Sequence, residues 1–128
     1  MHRSPSRFLL LAGLSFALAL STACSTIQVT EDTVGEFKLG ELQTVVNANF
    51  GATYDATKRA FEEHGLFLTG EARKVIEAEL NARDRSDTLI TVKLKEVAVG
   101  QTSVRIRYGL TGDAARSQML FRDIARQL

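Results

Sequence analysis

Val75-Ile-Glu-Ala-Glu-Leu-Asn-Ala82, Thr88-Leu-Ile-Thr-Val-Lys-Leu-Lys-Glu-Val97 and Thr102-Ser-Val-Arg-Ile-Arg-Tyr108 follow one another closely, and each alternates apolar with polar residues. Successive side chains of a strand point to opposite faces, so the alternation predicts three half-buried strands. Ile76, Ala78 and Leu80 face inward on the first, Ile90, Val92 and Leu94 on the second, and Val104, Ile106 and Tyr108 on the third. Glu77/Glu79, Lys93/Lys95 and Arg105/Arg107 then share the outer face. The breaks at Arg83-Asp-Arg-Ser86 and Val99-Gly100 are polar or glycine-bearing and too short for a crossover, so the three strands pair as an antiparallel meander.

The same pattern recurs upstream. Glu41 to Ala48 alternates, with Leu42, Thr44, Val46 and Ala48 on one side and Glu41, Gln43, Val45 and Asn47 on the other. The period then changes. From Phe50 to His64 the residues Phe50, Tyr54, Thr57, Ala60 and Phe61 share one helical face, opposite Asp55, Lys58, Arg59, Glu62 and Glu63. Asp55/Arg59 and Lys58/Glu62 stand at the spacing of ion pairs along a helix, and Gly65 is a C-terminal stop. Leu66 to Thr69 reads as a short strand. Downstream, Gly109 and Gly112 break the chain, Asp113 is a good N-cap, and a closing helix runs from Ala114 to Gln127. Its apolar face is Ser117, Leu120, Phe121, Ile124 and Leu128, with Arg116, Arg122, Asp123 and Arg126 outward. The order β-α-β-β-β-β-α predicts an α+β fold: a mostly antiparallel sheet, two helices on one face, and the other face open.

Ahead of this domain, Arg3 and Arg7 precede an uncharged 13-residue run, Phe8 to Leu20, and then Ser21-Thr22-Ala23-Cys24. A basic end, an apolar run and small residues form the layout of a secretory signal. A bilayer-spanning helix needs roughly 20 residues, so a permanent span is the weaker reading. Cys24 is the only cysteine and has no disulfide partner in the chain. Ser21-Thr-Ala-Cys24 resembles the lipobox of bacterial lipoproteins, with Ser21 where leucine is commoner; the resemblance implies that Cys24 carries lipid after cleavage, and Ser25 after it leans toward the outer membrane. The expected organisation is a signal peptide over 1–23, lipidated Cys24 with a flexible tether over 24–36 (or a short added edge strand), and one α+β domain over 37–128.

Removing residues 1–23 leaves 105 of the 128, enough for one small core. Arg3 and Arg7 leave with the signal, so 14 basic residues stand against 15 acidic ones. No net field draws the domain to nucleic acid. His64 is the lone histidine after the signal and stands at a predicted helix end, a favourable place for it. One histidine and one cysteine do not make a zinc site of the usual kind. Glu77 and Glu79 share a strand face at a two-residue interval and are the one candidate carboxylate pair, for which a solvated sheet face is the plainer explanation. Gly109-x-x-Gly112 ahead of a helix would suit a phosphate, but the Asp113 carboxylate already occupies that helix end.

The outward cations carry more. Lysines beside arginines across a ladder repel, which leaves Lys93, Lys95, Arg105 and Arg107 as a positive strip suited to phosphate or carboxylate, or simply as a soluble face that resists aggregation.

Tyr54-x-Ala56-Thr57-x-x-Ala60-Phe61 and Ile106-Arg107-x-Gly109-x-x-Gly112-Asp113, followed by Ser117 and Leu128, resemble a family of small bacterial envelope lipoproteins whose domain has no assigned function. The likeness runs from Gly40 to Leu128 and departs at Tyr108 and Leu120, where valine and isoleucine are common. It implies an anchored α+β domain with no known catalysis and no cofactor. The expectation is therefore a non-enzymatic lipoprotein held to the membrane through acylated Cys24 and facing the periplasm, as a structural or binding module for an envelope protein or anionic polymer. The alternatives are a small periplasmic hydrolase with a carboxylate pair and a passive spacer.

Overall fold

The computed structural model describes residues 26–30 and 33–128. The expected signal peptide and Cys24 lie outside the described residues. Among those described, seven strands and two helices form the chain: β1 (Thr26–Thr30), β2 (Thr33–Lys38), β3 (Glu41–Val46), α1 (Phe50–Glu63), β4 (Phe67–Arg73), β5 (Glu77–Arg83), β6 (Leu89–Ala98), β7 (Gln101–Tyr108) and α2 (Ala114–Arg126). The strands make one antiparallel sheet in the order β1-β2-β3-β7-β6-β5-β4. The fold is α+β, as the pattern implied.

Two strands precede the predicted first one. Where a flexible tether was expected over 24–36, β1 and β2 form a hairpin that extends the sheet to its edge. The polar, Thr-rich composition hid it: Ile27 and Val29 make too short an alternation to mark a strand, and the ladder with β3 orders the hairpin.

β3 and β4 run in the same direction with three strands between them, so their connection must cross over the sheet, and α1 supplies it. α1 lies over β4 to β7 and α2 over β3, β7 and β1, so the two helices share one face. Leu42, Leu80, Ile90, Val92, Leu94, Val104 and Ile106 rise from the sheet into a core completed by Ala56, Ala60 and Phe61 of α1 and Leu120, Phe121 and Ile124 of α2.

Asn49 caps α1, its Oδ1 accepting the Ala52 N–H at 2.8 Å. At the other end Leu66 donates to the Phe61 carbonyl at 2.8 Å and Gly65 to that of Glu62 at 3.1 Å, with Gly65 at φ +66°, the paired closure of a Schellman turn. The i,i+4 pairs expected along α1 give way to partners on other elements: Lys58 meets Glu71 of β4 at 3.6 Å, and Arg59 donates to the Gln127 backbone carbonyl at 3.0 Å.

Three expectations fail where an element ends or two helices meet. Ile76 is 47% exposed, because β5 starts only at Glu77 and leaves it in the hairpin tip. Leu128 follows the C-cap Gln127 and turns outward. Asp123 is buried rather than outward, placed in the α1–α2 seam against His64 and Arg126.

The β2–β3 turn and the β7–α2 loop meet backbone to backbone. A Cβ on Gly112 (φ +87°) would lie 2.1 Å from the Gly40 carbonyl oxygen, and one on Gly40 (φ +79°) 2.5 Å from that of Thr111. Arg107 secures the contact, donating from Nη2 to the Leu39 carbonyl at 2.9 Å and from Nη1 to that of Leu110 at 3.5 Å. The Arg-x-Gly-x-x-Gly-Asp pattern thus has a structural meaning: a clamp, a turn, a bare contact and then the cap of α2, where the Asp113 carboxylate accepts the Arg116 N–H at 3.0 Å. Gly100, by contrast, has φ +71° with open space around it. Gly100→Ala should lose about 1–2 kcal/mol, the strain of a left-handed L-residue. Gly112→Ala adds a backbone collision and should lose about 3 kcal/mol or more, read by urea denaturation.

Candidate functional site

The face away from the helices is uncovered, and ladder registers put its charges in rows. One row runs Glu36, Gln43, Arg105, Lys93, Glu79, Ala72 from β2 across to β4; the next brings Val45, Ser103, Lys95 and Glu77 abreast. A hollow of about 470 Å³ opens among these rows, lined by Lys74, Glu77, Glu79, Lys93, Lys95, Ser103 and Arg105 with Ala72 and Val97 at its margin. The strip expected from the sequence and the carboxylates opposite it therefore occupy one concavity.

The four basic residues are not equivalent. β7 lies inside the sheet beside β3, and Glu41 of β3 takes Arg105 on one carboxylate oxygen, Nη2 at 2.5 Å and Nε at 3.1 Å. Glu41 also stands 3.6 Å from Arg107, whose main bonds go to the Leu39 and Leu110 carbonyls. Arg107 is accordingly a clamp of the fold and stands outside the hollow. Lys95 faces Glu77 across the ladder. Neither Lys95 nor Lys93, which stands between Arg105 and Glu79, makes an ion pair or hydrogen bond through its ammonium among the described residues; Glu79 accepts from Asn81 Nδ2 at 3.2 Å. The sequence marked Glu41 only as outward. Its role needed the β3–β7 pairing, which alternation within a strand does not reveal.

The carboxylate pair expected as the acid–base candidate is poorly suited to proton donation. Lys74 bonds Glu77 at 2.9 Å and, with its charge, holds that carboxyl below its ordinary value, with Lys95 adding to the effect. An acid catalyst needs the opposite shift. His64 is the C-cap of α1, as its position implied, and its Nε2 lies against the Asp123 carboxylate, which also holds Arg126. Burial, followed by the Arg126 charge, lowers its pKa. No cluster of three or more metal-ligating side chains occurs among the described residues, and no helix among them is long and apolar enough to cross a membrane.

A second depression of about 270 Å³ lies between Gly65, Leu66, Asp84, Tyr108 and Arg116. Asp84 organises it: its Oδ1 accepts the Thr88 N–H at 2.9 Å and the Ser86 N–H at 2.8 Å, and its Oδ2 the Tyr108 hydroxyl at 3.1 Å. Tyr108, expected wholly inward, is half-buried with its hydroxyl turned to this loop.

These features define the class: a small α+β domain with two helices on one face of a twisted antiparallel sheet and a charged hollow on the other. The family follows from the comparison with family models. Residues 7–127 match the model described as protein of unknown function (DUF3568), and the chain belongs to that family. No curated protein matches the chain.

The Asp84 bonds carry a pH prediction. Its pKa is lowered, first by the Thr88 N–H, which outweighs the opposing effect of burial, with Tyr108 and Ser86 adding to the lowering. A depressed carboxylate pKa stabilises the fold above the unfolded value of 3.8 and loses that contribution as pH falls through the lower folded value. Thermal melts should therefore show Tm falling below pH 4, and Asp84→Asn should flatten that fall while lowering Tm at neutral pH.

Proposed function

We propose that the protein is a non-catalytic, lipid-anchored module of the bacterial cell envelope, held by acylated Cys24 on the periplasmic side of a membrane, the outer one by preference. The open sheet face is its binding surface. The observation that carries this reading is the hollow, where neither Lys93 nor Lys95 makes an ion pair among the described residues and Ser103 stands abreast of Lys95. Two ammonium groups held in a concavity without a direct ion pair suit an incoming phosphate or carboxylate. The anchoring half rests on the sequence, where the apolar run Phe8 to Leu20 leads to Ser21-Thr-Ala-Cys24.

The strands also separate the two ends. β1 begins at the Lys38–Glu41 end of the sheet, because Thr26 pairs with Glu36, whereas the hollow lies toward the β4–β5 and β6–β7 hairpin tips. β6 is ten residues long, about 33 Å. A chain tied down through Cys24 would hold the β1 end near the lipid and present the hollow away from it. Acyl chains contribute about 0.8 kcal/mol per buried methylene, and stable attachment takes more than one.

Two measurements test the two halves. Metabolic labelling with a palmitate analogue should mark the wild type and not Cys24→Ser, which should leave the membrane fraction; equal labelling of both rejects the anchor. A photo-cross-linking residue at Ser103 should yield adducts in intact cells, and these should disappear when Lys93 and Lys95 are both alanine. A membrane-attached protein that gives no Ser103 adduct, or the same adducts without the lysines, rejects the binding surface.

A further inference from the structure

Leu39 is a misfit in its own turn. The β2–β3 connection is a two-residue hairpin in which Lys38 pairs with Glu41, and both central residues have positive φ, Leu39 at +52° and Gly40 at +79°. Such turns favour asparagine or glycine at the first central position, because a Cβ there is strained and a γ-branched apolar side chain gains nothing in return. Leu39 nevertheless occupies it and is 84% exposed. The local conformation and the solvation of this residue both argue against leucine.

A second exposed leucine stands beside it. Leu110, in the β7–α2 loop, is 89% exposed, and the Arg107 guanidinium bonds the carbonyls of Leu39 and Leu110 together. The Gly40–Gly112 contact closes the same junction. The two leucines are thus carried on a braced platform, with exposed Lys38 next to Leu39.

β1 starts at this end. Thr26 pairs with Glu36, and β1 runs antiparallel to β2, so Thr26 stands on the side of Lys38. Two links separate Thr26 from Cys24, a span of at most about 7 Å. An acyl group on Cys24 would therefore bring its bilayer to the platform that bears Leu39 and Leu110, with no tether long enough to hold it off.

We infer that Leu39 and Leu110 form a foot that inserts into the bilayer surface beside the lipidated cysteine and fixes the domain upright. The occupant is phospholipid: apolar side chains on a braced turn enter the headgroup boundary, and Lys38 stands at the rim where anionic headgroups lie. The inference rests on the proposed acylation of Cys24. The hairpin tips at the other end also expose apolar residues, with Val99 99% exposed, and serve as the internal control.

The chain contains no tryptophan, so single tryptophans report without interference. Leu39→Trp, Leu110→Trp and Val99→Trp are made in the full-length protein, purified from membranes and reconstituted into phosphatidylcholine/phosphatidylglycerol vesicles with brominated acyl chains. The first two should emit at shorter wavelength and be quenched, and Val99→Trp should be neither. Leu39→Asn, which suits the turn, should raise Tm and reduce the quenching of Leu110→Trp. The inference is overturned if Leu39→Trp and Leu110→Trp stay unquenched on protein that floats with the vesicles, if all three quench alike, or if Leu39→Asn leaves the Leu110→Trp signal unchanged. Mass measurement of Cys24 decides the anchor separately. Should the thiol prove unmodified, coupling it to a maleimide phospholipid puts the domain at the bilayer, and the same quenching pattern still decides the foot.

Discussion

The fold turns on a contact between two glycines. Gly40 and Gly112 bring the β2–β3 turn and the β7–α2 loop closer than any side chain permits, and Arg107 bonds a carbonyl on each side. Without that contact the β2–β3 turn would lose its tie to the β7–α2 loop, and α2 would start from a free loop. With it, the β2–β3 turn, the end of β7 and the start of the closing helix form one junction. Arg107 is spent on this task, which is why one member of the expected cationic strip contributes to architecture rather than to a surface for ligands.

The rest of the sheet face is tuned by pairing. Glu41 neutralises Arg105, Lys74 neutralises Glu77 and Asn81 donates to Glu79, so of the six charged groups around the hollow Lys93 and Lys95 are the two that make no ion pair or hydrogen bond through their charged groups among the described residues. Exposed pairs of this kind contribute little to stability, about 0–1 kcal/mol each. Their effect is to set where positive potential remains, and it remains toward the tips remote from β1.

Much of this was legible in the sequence because it is local. A period of two in Thr88–Val97 and Thr102–Tyr108 and a period of 3.6 in Phe50–His64 follow from burial of one face, and the caps Asp113 and Gly65 follow from backbone chemistry within a few residues. What was not legible is non-local. Nothing in the alternation of Glu41–Ala48 says that its neighbour is β7, so neither the Glu41–Arg105 pair nor the interior place of β7 could be read. The β1–β2 hairpin escaped because its polar, Thr-rich stretch carries too short an apolar alternation, and its pairing with β3 is not written in the segment itself. The glycine pattern before Asp113 was visible, but its cause, a second backbone lying against it, belongs to the fold.

The proposed attachment and the proposed binding surface are linked by one geometrical claim: the sheet stands with its β1 end at the lipid and its hairpin tips outward. With Cys24 acylated, Val99→Cys supplies a unique thiol for a donor fluorophore, and energy transfer to acceptor lipids in the vesicle surface measures its height directly. The account predicts a separation on the order of 30 Å, the length of β6. A Val99 site lying within about 10 Å of the bilayer, roughly three residues of strand, would contradict it.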